Sequence, residues 1–228
     1  MRRKELLLLI ACAATLFGAN ARASVTPAAG ITDTPTRQAD ALARVLAVIK
    51  RTKTTRATYA IYTWIWLKRG DNTPAEEWSA EFNSGVRHRV ETPRDRLIAD
   101  CEALNGTAVS LPSGETHSGR QVADAACGID TVRAVDSAQW LGTVSTPCGK
   151  ADRVRLISAE LVRTYDITAD GIIAATTYAR NVDGEPPILV TKATTCSSEL
   201  PLGSLFDQPS LQQSYVPAKF KLAPALAH

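Results

Sequence analysis

Several signals that would name a chemistry at once are missing. The sequence has no G-x-S-x-G, H-E-x-x-H, P-loop or G-x-G-x-x-G, so the ready signatures of serine hydrolases, zinc proteases and nucleotide binders are absent. Its histidines, His88, His117 and His228, are few and far apart. No two cysteines form a C-x-x-C pair, which weighs against a zinc site, and no cofactor motif occurs. Beyond the N-terminus there is no apolar run of the roughly 20 residues that a membrane-spanning helix needs. Charge of one sign is lacking too. The formal +3 comes entirely from Arg2, Arg3, Lys4 and Arg22 against Glu5, so the rest of the chain is neutral and the basic isoelectric point does not indicate nucleic acid.

What is present begins with an address. Met1 to Lys4 is cationic, Leu6 to Ala19 is apolar, and Ala21-Arg22-Ala23 is a small-x-small end before Ser24. These are the three parts of a secretory signal peptide over residues 1–23, with cleavage near Ala23 and a periplasmic or secreted destination. Leu9-Ile10-Ala11-Cys12 also fits a lipidation box, but the apolar run continues past Cys12, and Arg2-Arg3 lacks the flanks of a twin-arginine signal. General export is the preferred reading.

Export changes how cysteine reads. Cys101, Cys127, Cys148 and Cys196 remain, an even set in an oxidising compartment, which predicts two disulfides. Three pairings are open. Closing two sequential loops favours Cys101 with Cys127 and Cys148 with Cys196.

Residues 24–33 read as a flexible leader, 34–215 as a single β-rich domain and 216–228 as a Pro/Ala-rich tail. Thr34 and Pro35 suit a helix start, and Leu42, Val45, Leu46 and Ile49 form an apolar stripe opposite Arg37, Asp40, Arg44 and Arg51. The cations Arg44, Lys50, Arg51, Lys53 and Arg56 oppose the dipole at the helix end; an acidic lipid surface is the less favoured reading.

From Tyr59 the period is two. Tyr59, Ile61, Ile65 and Leu67 point one way, and Tyr62, Trp64 and Trp66 the other, so both faces are expected to be covered. Trp78, Ala80 and Phe82 alternate with Glu77, Ser79 and Glu81. Further strands are predicted around Val86 to Val90, Leu97 to Cys101 and Val109 to Leu111, with turns at Asn83-Ser84-Gly85, Thr92 to Asp95 and Asn105-Gly106. The last also fits a glycosylation sequon, which the turn reading outweighs. A helix is expected within Arg120 to Gly142, capped by Asp130 and carrying Val132, Val135 and Trp140. A long strand from Val154 to Ile167 follows, with Ile157, Ala159, Leu161, Tyr165 and Ile167 on one face. Strands Ile172 to Tyr178 and Ile188 to Thr195 complete an antiparallel meander. The expected class is therefore mainly β with α: a curved antiparallel sheet or incomplete β-barrel with an N-terminal amphipathic helix and room for one more.

No catalytic or metal-binding set emerges. His88 has Glu81 or Asp100 as conceivable partners, but flanked by Arg87 and Arg89 it reads as structural. Glu76, Glu77, Asp95 and Asp100 read as surface. The sharper signal is aromatic: Tyr62, Trp64, Trp66, Trp78 and Phe82 are the candidate lining of an apolar cavity, with ordinary core packing as the competing account.

The order of elements resembles the periplasmic lipoprotein-carrier (LolA-like) family. The residues behind this are the helix over Ala39 to Lys50, the Trp-bearing strand, Arg89-Val90-Glu91-Thr92-Pro93, Tyr165-Asp166-Ile167-Thr168-Ala169-Asp170-Gly171, and Leu200-Pro201-Leu202-Gly203-Ser204-Leu205-Phe206-Asp207. The resemblance implies an incomplete barrel with helices over its concave face, and a role in holding acyl chains or an envelope protein. It transfers no ligand residue, and four mature cysteines exceed what a typical carrier has. The sequence thus points to an exported, non-enzymatic binding protein for a lipid or acyl chain, the alternative being an envelope interaction or regulatory module with a filled core.

Overall fold

The computed structural model describes residues 35–68, 74–129 and 135–221. The export signal, the leader, Thr34, Asp130, Val132 and the end of the tail lie outside these. Helix α1 (Pro35–Thr54) leads into β1 (Tyr59–Lys68), β2 (Pro74–Ser84), β3 (Arg87–Glu91), β4 (Asp95–Asp100), β5 (Asn105–Ser110) and β6 (Thr116–Ser118). Helix α2 (Arg120–Ala126) precedes β7 (Ser137–Thr146), β8 (Gly149–Ile157), β9 (Leu161–Thr168), β10 (Ile173–Arg180) and β11 (Leu189–Ser197). A 3₁₀ turn (Gln208–Gln212) and a short helix α3 (Ala218–Lys221) follow.

The strands form one antiparallel 11-stranded sheet in the order β6-β5-β4-β3-β2-β1-β11-β10-β9-β8-β7. Two meanders are joined where β1 pairs with β11, while β6 and β7 remain edges, so the curved sheet is an incomplete barrel.

Each helix covers one wing of the concave face. Val45, Val48 and Ile49 of α1 bury against Val154, Leu156, Tyr165 and Ile167 of β8 and β9. Leu46 is 36% exposed; the working stripe runs through Val48 instead, because the sheet meets the helix about one residue further round than the predicted face. On the other wing, Val122, Ala123 and Ala126 of α2 pack on Val90, Leu97 and Ala99. Gly106 permits this approach, since a Cβ there would lie 2.8 Å from the Ile98 carbonyl oxygen and 3.0 Å from Val122 Cγ1.

The wings meet at the last turn of α1. The Thr52 hydroxyl donates to the Ile49 carbonyl (2.8 Å) and accepts from the Ile129 N–H (3.0 Å). Gly128 and Gly171, both at φ of +83°, press their backbones onto Thr52 and Arg51, where a side chain would collide with the helix carbonyls. The disulfides are Cys101–Cys127, tying α2 to the β4–β5 turn, and Cys148–Cys196, tying the β7–β8 turn to β11.

Three local expectations are corrected. The helix placed within Arg120 to Gly142 is confined to Arg120–Ala126, since Cys127 is bridged to Cys101 and Gly128 turns the chain; Trp140 lies on a strand and Val135 packs beside α1. The strand from Val154 to Ile167 is two strands, reversed after Ser158, whose N–H and hydroxyl bond to the backbone of Leu161. Asn105-Gly106 belongs to β5, and Asn105 pairs with Asp100. The Asp100 carboxylate makes the preceding turn by accepting from the N–H groups of Glu102 (2.9 Å) and Ala103 (2.8 Å).

Candidate functional site

Between the wings the concave face encloses a cavity of about 490 Å³. Its floor follows directly from strand register. Leu67 lies opposite Leu189, Leu189 opposite Tyr178, and Tyr178 opposite Arg163, one row across β1, β11, β10 and β9. The next row runs Ile65, Thr191, Thr176, Tyr165. All eight side chains line the cavity. Directly opposed residues in an antiparallel sheet share a face, so the rows form one surface.

The β2 side of the cavity is polar. Glu77, Ser79 and Glu81, the residues that alternate with Trp78, Ala80 and Phe82, point into it. Glu77 accepts a hydrogen bond from Arg94 at 3.0 Å, and Asp95 also lines this side, where burial pushes its carboxyl up against the nearby charge of Arg94. Glu81 faces His88, with Nε2 to Oε2 3.3 Å apart, while His88 Nδ1–H donates to the Ala126 carbonyl at 2.7 Å. Of the two partners considered for His88, the register thus brings Glu81 and uses Asp100 elsewhere. Nδ1 alone is hydrogen-bonded, Nε2 having no such partner, and through Nδ1 the imidazole pins the end of α2 to the sheet.

The β9 end is different in kind. Arg163 is only 7% exposed, and its Nε has no hydrogen-bond partner. The Tyr165 and Tyr178 hydroxyls lie 3.1 Å apart beside it. Burial, and then the neighbouring Tyr178, raises the Tyr165 pKa well above the ordinary phenol range.

The predicted aromatic lining sits elsewhere. Tyr62, Trp64, Trp66, Trp78 and Phe82 lie on the opposite, convex face, because they have the other parity from Ile65 and Leu67 on β1 and from Ser79 and Glu81 on β2. None of the five lines the concave cavity. Four are gathered: the Phe220 ring is 5.1 Å from Tyr62, 5.7 Å from Trp64 and 6.3 Å from Trp78, and the Tyr62 ring is 6.1 Å from Phe82. Leu205 and Val216 of the C-terminal segment complete this cluster, so the chain covers these aromatics itself.

Arg89 and Glu91, both 0% exposed, hold that segment down. Arg89 Nε donates to Glu91 Oε1 at 2.9 Å. Its Nη atoms donate to the carbonyls of Leu205 (2.9 Å), Ser210 (3.2 Å) and Gln213 (2.8 Å) and to the Ser210 hydroxyl (2.7 Å). Glu91 accepts from the Ser214 hydroxyl (2.7 Å) and the Tyr215 N–H (3.0 Å). Two of the quoted motifs, Arg89 to Pro93 and Leu200 to Asp207, are therefore physical partners.

An incomplete antiparallel barrel, with two helices on its concave face and a partly polar cavity between them, is the class that this geometry defines. No family model matches the chain, and no curated protein does. Among solved structures it is similar to MucB, at 12% identity and a TM-score of 0.44 over 76% of this chain; the chain spans 64% of the length of that one. It is similar to an uncharacterized conserved protein from Thermus thermophilus (10%, TM-score 0.42, 79% of this chain and 96% of that one). It is similar as well to a LolA superfamily protein from Nitrosomonas europaea (6%, TM-score 0.36, 75% of this chain and 99% of that one).

Proposed function

We propose that this is an exported, periplasmic binding protein that holds a lipid or acyl chain in the concave cavity, with no catalytic step. The observation that carries this reading is the floor between the helices, where Leu67, Leu189 and Ile65 line open space while the wings under α1 and α2 are filled. Removing a chain from water there contributes about 0.8 kcal/mol per buried methylene, so about eight methylenes supply roughly 6 kcal/mol. A cavity of this size falls within the range of known small-molecule sites. Export agrees with the N-terminal pattern and with two disulfides.

Native mass spectrometry of protein purified from its own periplasm tests the reading. The expected result is a co-purifying lipid, or saturable uptake of a fluorescent fatty acid by delipidated protein. A protein that is empty in every preparation and takes up no fatty acid overturns it and leaves the envelope interaction module.

A further inference from the structure

Arg163 is a buried cation whose charge nothing on its own wall balances. A guanidinium taken out of water is costly unless it is paired and hydrogen-bonded. Yet Nε is without a partner, and among the described residues no carboxylate forms an ion pair with it. Carboxylates do line the same cavity, but on the β2 side, four strands away in the sheet order, where Glu77 pairs with Arg94 and Glu81 faces His88. The two phenols beside Arg163 add a donor. When one hydroxyl donates to the other across 3.1 Å, the second proton of the pair is left for an acceptor. A fixed cation and a free phenolic proton at the end of an apolar row form the counterpart of an amphiphile with a negative head.

We propose that Arg163, with the Tyr165–Tyr178 pair, receives the anionic head group of a single-chain amphiphile, a carboxylate or a phosphate, whose tail runs over Leu189 and Leu67 towards β1. This names the ligand class for the cavity and rests on the function proposed above.

The test compares three twelve-carbon ligands on the delipidated mature protein: dodecanoate, dodecyl phosphate and dodecanol. Each displaces a neutral fluorescent probe, N-phenyl-1-naphthylamine, below its micellar concentration. At least one anion is expected to bind about tenfold or more tighter than dodecanol, the usual scale of a hydrogen bond to a charged group. Whether dodecanoate or dodecyl phosphate leads identifies the head. Arg163→Gln should abolish that preference without weakening dodecanol, and Arg163→Lys should keep part of it. Equal binding of all three by the unmodified protein overturns the inference and leaves the acyl-binding reading standing. Arg163→Gln losing dodecanol and the anions alike also overturns it, by making Arg163 structural. Failure of all three ligands to displace the probe removes both proposals. Should Arg163→Gln not fold, the preference of the unmodified protein decides alone.

Discussion

Arg89 and Arg163 are both buried arginines on one sheet, facing opposite ways. Arg89, on the convex side, donates five hydrogen bonds within the chain and draws residues 205–215 against the aromatic strands. Arg163, on the concave side, has no such set and opens into space. Burial alone therefore does not separate a structural ion from a site; the completeness of its hydrogen bonding does. The faces also differ in how they are secured. Both disulfides attach elements of the concave side, whereas the convex strap depends on a buried cluster of Arg89, Glu91 and Arg96, the last donating to the Leu211 carbonyl, and on ring packing.

The most direct way to break this contrast is Arg89→Met. It leaves Glu91 buried with only Arg96, 3.8 Å away, as a cation and takes the Gln213 carbonyl's donor, and should cost about 3 kcal/mol in urea unfolding. Limited proteolysis should cut after residue 200 first. A loss under about 1 kcal/mol, with the segment still protected, would show that ring packing alone holds the strap.

On a similar scale, replacing Cys148 and Cys196 by Ser opens a loop of 48 residues and should cost about 4 kcal/mol, and replacing Cys101 and Cys127 opens one of 26 and should cost about 3.5 kcal/mol. Thermal melts of the two double variants check the order. The second, which frees α2 from the β4–β5 turn, should also weaken fatty-acid uptake, and Arg89→Met should not. Equal effects on uptake would erase the distinction between the faces.

A third pair of variants reads the faces directly. Trp64→Ala removes a half-buried ring from the convex cluster and should cost about 1 to 2 kcal/mol, below the 3 to 5 of a fully buried aromatic, with uptake unchanged. Leu67→Ser should do the reverse, with stability nearly kept and fluorescent fatty-acid affinity reduced several-fold. If Trp64→Ala abolishes uptake instead, the ligand lies on the aromatic face predicted from the sequence.

Much of the fold was legible because it rests on local chemistry. The period of two on β1 and β2, the turn at Thr92 to Asp95 and the sequential closure of the disulfides all appear as read. What alternation cannot tell is which way a sheet curves. On β2 the aromatic parity and the acidic parity were separated correctly, but curvature placed Glu77, Ser79 and Glu81 inside and Trp78 and Phe82 under the strap. Covering the aromatics needs a contact between residues more than a hundred positions apart, and no local pattern encodes that. The site did leave one trace. Leu161, Arg163, Tyr165 and Ile167 share a parity, so Arg163 interrupts an otherwise apolar face of β9. In a single strand from Val154 to Ile167, Arg163 is one charged residue in a row with Ile157, Ala159, Leu161, Tyr165 and Ile167, and such a row does not by itself mark a site. The helix shortened at Gly128 for a similar reason: the disulfide that ends it is a long-range constraint.

The smallest effect concerns how α1 is seated on the concave side. Arg51 Nη1 donates to Asp152 Oδ2 at 2.8 Å, and Trp140 Nε1 donates to Oδ1 at 3.1 Å beneath the Arg44 guanidinium. Partial burial pushes the Asp152 carboxyl up, but the hydrogen bonds from Arg51 and Trp140 and the charges of Arg51 and Arg44 outweigh it and hold the pKa below its ordinary value. A group depressed in the folded state contributes stability above its unfolded pKa, about 3.9, and loses that contribution as the pH falls through the folded value. Both partners are partly solvated, so the pair is worth about 0.2 to 1 kcal/mol. Asp152→Asn should therefore lower stability by that amount at pH 7 and by progressively less as the pH falls towards 2, in paired urea titrations. A difference that persists at pH 2 would mean that packing of α1, rather than its ion pair, was disturbed. A difference of several kcal/mol at pH 7 would mean that α1, like the convex strap, is secured chiefly by charged groups.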